Sequence, residues 1–280
     1  MEFKIVSDSS SDLLTIADVP FENVPLTIKT SDTEYVDNEN LDITKMLDDL
    51  AKYSGKSGSA CPNFSDWKNA YADAQNVFAV TITSGLSGSY NSASVAANDW
   101  KGDVEGRNIH VVDSLSTGPE CAMIIEKLRE LILEGLDFET IVTKIKDYQN
   151  HTHLAFSLER IRNLANNGRV NPAIAKIIGM LGIRLVGKAS NKGELEMTDK
   201  TRGAERSLGD VLKNMLKNGY NGGRVRIHHC ENIKSAESLK EKLLEKFPSA
   251  KIDISITRGL CSFYAERGGL LVGYEGCAKC

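Results

Sequence analysis

No stretch of this sequence is apolar for long enough to cross a bilayer, so stable membrane insertion is not expected. There is no phosphate loop of the form G-x-x-x-x-G-K followed by Ser or Thr, which removes the common nucleotide-binding signature. Charge of one sign is also missing: 34 Lys and Arg stand against 38 Asp and Glu, a formal net charge of −4. A chain so balanced has no basic face for nucleic acid. Cysteine is thinly spread, with Cys61, Cys121, Cys230, Cys261, Cys277 and Cys280 scattered over 280 residues. That is no disulfide framework, and free thiols are expected. Cys277-Ala278-Lys279-Cys280 has C-x-x-C spacing but no second pair to complete a zinc site, so neither metal nor cofactor is expected. The first residues, Met1 to Val6, run into a strand pattern without the basic and apolar regions of a signal peptide, and the expected location is cytoplasmic.

What is present is a recurrent unit of apolar strand, hydroxyl-rich turn and helix. The clearest is Val77 to Thr83, then Ser84-Gly85-Leu86-Ser87-Gly88-Ser89, then a helix from Asn91 to Trp100. A turn of this kind brings backbone N–H groups and hydroxyls to one point and suits an anionic head group. The same residues also serve simply to cap a helix and fill a tight loop. A nucleophile elbow, G-x-S-x-G, fails here because Ser89 occupies its last position. The unit recurs at Phe3 to Val6 with Ser7 to Leu13, and at Asn108 to Val112 with Asp113 to Pro119. Pro119 suits the first position of a helix running to Glu134, and a further helix spans Phe138 to Asn150. Alternation of this kind predicts a parallel sheet with helices on both faces, its strand ends gathered at one edge.

Between these units the spacing predicts a strand over Asn23 to Lys29, a helix over Leu41 to Tyr53, a loop over Ser54 to Asn63 and a helix to Tyr71. Near residue 150 the character changes. His153 to Phe156 reads as a strand, Leu158 to Asn167 as a helix capped by Gly168, and Ala173 to Leu181 as a helix. Arg184 to Lys188 and Glu194 to Met197 form a hairpin around Asn191-Lys192-Gly193. A helix from Ala204 to Lys217 follows Arg202. Gly223 to Cys230, Ser235 to Lys246, Lys251 to Thr257 and Leu270 to Tyr274 read as strand, helix, strand, strand. The expected class is α/β, with a parallel-sheet lobe over residues 1–150 and an α+β lobe over 151–280.

Five segments in order, Lys4 to Leu13, Val24-Pro25-Leu26, Thr83 to Asn91, Val111 to Ser114 and Gly168-Arg169-Val170, resemble the DegV family across essentially the whole chain. The resemblance implies a two-domain bacterial protein that buries a long-chain fatty acid between its lobes. In some members the acyl carboxylate is presented to a dihydroxyacetone-kinase-like fatty acid kinase for acyl phosphate formation. Ser84 and Gly85 fall where the family holds the carboxylate, with Ser87 in the same turn. Ser59 falls at a family threonine. Tyr264 replaces a family histidine, and Glu266-Arg267-Gly268 replaces a glycine-rich run, so the head-group site is expected to differ. Arg169 and Arg202 match arginines implicated in engaging the kinase. On this reading the chain is a carrier rather than an enzyme. The rival is an enzyme acting on a small phosphorylated or acyl substrate, with Asp8, Asp12 and Asp113 on a divalent metal and Ser84 or Ser87 as acyl acceptor.

Overall fold

A strand apolar at every position needs cover on both faces, and Val77 to Val80 is such a strand. In the computed structural model, which describes residues 2–170, 174 and 182–279, it is the interior of a four-stranded parallel sheet. The sheet comprises β1 (Phe3–Asp8), β2 (Phe21–Val24), β6 (Asn76–Thr81) and β7 (Asn108–Asp113), in the order β2-β1-β6-β7. Alternate side chains go to opposite faces. Val6, Val77 and Ala79 pack against α2 (Phe64–Tyr71) and α3 (Ser89–Asp103) through Trp67, Tyr71, Ala93, Ala96 and Trp100. Ile5, Phe78 and Val80 pack against α4 (Pro119–Leu133) and α5 (Phe138–Asn150) through Ile124, Leu128, Ile141 and Ile145. Caps fix the helix starts: Asn63 and Asp66 form a reciprocal capping box on α2, and Asp137 caps α5.

The strand expected over Asn23 to Lys29 is in fact two. Pro25 lacks an N–H for the ladder, and the chain breaks there into β2 and β3 (Thr27–Lys29). β3 joins β4 (Glu34–Val36) and β5 (Gly58–Ala60) in a small antiparallel sheet, so the expected loop over Ser54 to Asn63 contains a strand. Beside it lies α1 (Ile43–Lys52), whose Met46 and Leu47 meet Ile28 and Phe263.

The second half is built on a six-stranded sheet in the order β10-β9-β8-β13-β11-β12. Its strands are β8 (Thr152–Leu158), β9 (Ile183–Ala189), β10 (Leu195–Arg202), β11 (Val225–His229), β12 (Ile252–Ile256) and β13 (Leu270–Glu275). Ala155, Val186, Ile227 and Val272 face α7 (Ala204–Lys217) and α8 (Ile233–Lys246). On the opposite face Leu154, Phe156, Leu158, Leu185 and Leu271 form a second apolar cluster. The helix expected from Leu158 starts later, because Leu158 is still paired with Leu185 at the end of β8, and only Arg162–Asn166 forms α6. One helix escaped the sequence reading, α9 (Gly259–Ala265). The helix expected over Ala173 to Leu181 lies outside the described residues.

Helix α4 joins the halves. Besides the parallel sheet it packs on β13, where a Cβ at Gly273 would lie 2.8 Å from the Glu120 nitrogen. Glycine at 273 permits that approach. No helix among the described residues is long and apolar enough to cross a membrane.

Candidate functional site

The three hydroxyl-rich turns do converge, and what joins them is carboxylate. Asp8, at the end of β1, is fully buried. Its Oδ1 accepts from the Ser10 nitrogen and hydroxyl at 3.2 and 2.5 Å; its Oδ2 accepts from the Ile82 nitrogen at 3.0 Å and the Ser89 hydroxyl at 2.6 Å. Burial raises its pKa, and these donors act in the opposite direction. Asp113, at the end of β7, accepts from the Ser84 and Leu115 nitrogens at 3.0 and 3.1 Å. Asp12 lies 2.7 Å from His228 Nδ1 and accepts from the Arg258 nitrogen. Each acid of the rival enzyme reading is therefore a structural acceptor, and among the described residues no three acidic, imidazole or thiol groups gather as a metal site.

Above these turns lies a cavity of about 290 Å³, at the lower end of the range for small-molecule sites. Its walls are mostly apolar. The six-stranded sheet contributes Leu154, Phe156, Leu158, Leu195 and Leu271; the parallel-sheet half contributes Leu26, Ile82 and Leu86; α6 and α9 add Leu164, Leu260 and Ala265. The polar exceptions are Ser59, Ser87, Thr117, Arg169 and Tyr264, with the thiols of Cys61 and Cys261.

Among the residues singled out from sequence, Ser59 and Tyr264, 205 positions apart, meet with their hydroxyl oxygens 2.8 Å from each other. Ser87 lines the same cavity, and its hydroxyl accepts from the Ser89 nitrogen. Arg169 lines it too, its Nε donating to the Leu86 carbonyl at 3.2 Å and its Nη1 to the Asn167 carbonyl. Ser84 and Gly85 are exposed and stand outside the cavity lining. There the tip of the β9–β10 hairpin comes close to Gly85, with the Lys192 carbonyl 3.0 Å from where a Cβ would lie. The same tip explains Gly193: its φ of +73° and the proximity of Thr83 both exclude a side chain. Arg202 is exposed at the end of β10 and does not line the cavity.

Sequence reasoning missed how Tyr264 is held. Buried Asp37 grips the start of α9, accepting from the Gly259 and Leu260 nitrogens at 2.8 Å each. Burial pushes Asp37 up to about 6 against the effect of these donors, with the nearby Asp12 charge adding to the rise. Nothing local marks Asp37, which sits in a polar run; the Leu260, Phe263 and Tyr264 spacing was the available sign of α9.

Set beside known proteins, residues 2–275 match the family model described as "Uncharacterised protein, DegV family". A DegV domain-containing protein of Streptococcus gordonii is 45% identical over 279 residues, covering 98% of this chain and 99% of its own. Two crystal structures are similar to the fold at a TM-score of 0.96, each covered over 98% of this chain and 99% of its own. One is the Streptococcus pneumoniae Fatty Acid Kinase (Fak) B3 protein loaded with linoleic acid, at 44% identity. The other is a DegV family protein from Eubacterium eligens loaded with heptadecanoic acid, at 39% identity. The α/β architecture expected from sequence is the architecture of these structures. With the family model matched over nearly the full length and relatives well above 30% identity, the chain belongs to the DegV family.

Proposed function

We propose that this protein is a carrier that buries a long-chain fatty acid in the cavity and presents its carboxylate to a kinase partner for acyl phosphate formation. The observation that carries the reading is an apolar cavity with a hydroxyl pair, Ser59 and Tyr264, on its wall. Each methylene moved out of water contributes about 0.8 kcal/mol, so a long chain supplies more than about 10 kcal/mol before ordering costs. The carboxylate then needs donors, because an unpaired buried charge is costly. Ser59 and Tyr264 now hydrogen-bond to each other, one hydroxyl donating and the other accepting; turned to a carboxylate, both can donate. Ser87 and the Arg169 guanidinium on the same lining supplement them. The fatty acids bound by the Streptococcus pneumoniae and Eubacterium eligens proteins support this choice of ligand.

The Fatty Acid Kinase name of the Streptococcus pneumoniae relative supports the kinase partner. Arg169, on the cavity lining, and exposed Arg202 are the groups we assign to that encounter, guanidinium forks being suited to phosphate oxygens. Residues 1–150 then supply the polar turns and 151–280 close the pocket.

The test is native mass spectrometry of freshly purified protein, followed by titration of delipidated protein with fatty acids. Tyr264→Phe deletes one hydrogen bond to a charged group and should weaken fatty acid binding by about 1.5–3 kcal/mol, roughly ten- to hundredfold in Kd. A protein that takes up no fatty acid from a panel would overturn the reading, and unchanged affinity in Tyr264→Phe would remove the hydroxyl pair from the head-group site.

A further inference from the structure

The cavity-facing row of β8 is Leu154, Phe156 and Leu158, and Phe156 stands opposite Gly187 on β9 and Leu271 on β13. On β9 the residues that share this face are Leu185, Gly187 and Ala189. Gly187 does not have the positive φ that would call for glycine. Space calls for it instead: a Cβ there would lie 2.3 Å from Phe156 Cζ and 2.7 Å from Cε2, as well as 2.4 Å from the Glu196 carbonyl of β10. The ring of Phe156 therefore lies down in the notch that glycine leaves, with only 1% of the residue exposed. It forms part of the cavity wall rather than standing across the cavity.

Resting on the fatty acid reading above, we infer that the Phe156–Gly187 pair is a specificity determinant that sets which acyl shapes the cavity admits. With the ring parked over glycine, the wall on the β9 side lies as far back as an aromatic residue allows. Removing the ring opens the notch between Leu185 and Ala189 to the ligand, giving room for the bend of a cis-unsaturated chain. Adding a methyl at 187 lifts the ring towards the cavity and narrows it for the same chain. A difference of one methylene-sized group in an apolar site changes selectivity by roughly tenfold or more.

The test is competition between stearate and oleate for delipidated full-length protein, read as the ratio of the two bound species by mass spectrometry. Phe156→Ala should raise the oleate-to-stearate ratio by about tenfold. Phe156→Leu, which keeps an apolar side chain and protects the fold, should raise it less. Gly187→Ala should lower the ratio, and the double variant Gly187→Ala with Phe156→Ala should return it towards that of Phe156→Ala alone, since no ring is left to displace. Gly187→Ala also presses on the Glu196 carbonyl, so the Phe156 variants decide the matter if it fails to fold. Folded Phe156→Ala and Phe156→Leu with the wild-type ratio would overturn the inference while leaving the fatty acid reading intact. Wild-type protein that binds neither acid would overturn both.

Discussion

On the side of the parallel sheet, the cavity is bordered by turns tied down by carboxylates, fully buried Asp8 holding Ile82 and Ser89, and half-buried Asp113 holding Ser84 and Leu115. On the side of the six-stranded sheet, it is bordered by Leu154, Phe156, Leu158 and Leu271, whose side chains carry no polar atom. The first border is held by hydrogen bonds from backbone nitrogens and hydroxyls to two carboxylates; the second takes its shape from how rings and branched side chains fill space. Polarity shapes one border and packing shapes the other.

The largest effect is expected on the polar border. Asp8→Ala leaves the Ile82 and Ser10 nitrogens and two buried hydroxyls without their acceptor, and unpaired buried groups cost about 1–3 kcal/mol each. Stability in urea should fall by about 3 kcal/mol or more, and a loss below about 1 kcal/mol would show that the turns hold one another without it. Because this variant strikes the scaffold, lipid binding should be lost along with stability.

A smaller effect should come from Asp37, which anchors the helix carrying Tyr264. Its folded-state pKa of about 6 lies above the ordinary 3.8, so the folded protein keeps a proton that the unfolded chain has released. The contribution to stability is present below pH 4 and lost as pH rises through 6, at up to roughly 1.4 kcal/mol per unit. The difference in unfolding free energy between wild type and Asp37→Asn, followed from pH 4 to 7, should show this slope. A flat difference would place the proton elsewhere.

The smallest effect is expected at Ser84. Its hydroxyl is exposed and the bond to Asp113 comes from its backbone nitrogen, so Ser84→Ala should change stability by less than about 0.5 kcal/mol and fatty acid Kd by about twofold or less. A loss as large as that of Tyr264→Phe would move the head group to the Ser84–Gly85 turn, where the family resemblance puts it.

The two borders also differ in how far they could be read from sequence. Strand, turn and helix in the parallel half follow from uninterrupted apolar runs and hydroxyl-rich punctuation, and α5 and the hairpin at Asn191 to Gly193 follow from periodicity and turn chemistry. The convergence of the turns was legible for the same reason. That Asp8 serves as a structural acceptor was not, because its partners Ile82 and Ser89 lie 74 and 81 residues away. On the apolar border, Leu154, Phe156 and Gly187 read only as strand residues. The notch appears only when β8 and β9 are side by side. Asp37 and α9 were missed because one sits in a polar run and the other is only seven residues long.

The bond between Ser59 and Tyr264 closes a loop of 205 residues, and Asp12 reaches His228 across 216. Contacts of such sequence separation close long loops, whose entropy cost must be met before the contacts stabilise anything. During synthesis, then, the lining leucines from Leu26 to Leu195 are made well before α9 and β13, which bring Leu260, Tyr264 and Leu271. Until residue 271 has emerged the cavity lacks part of its wall, and the newly made chain holds an exposed apolar face in need of shelter.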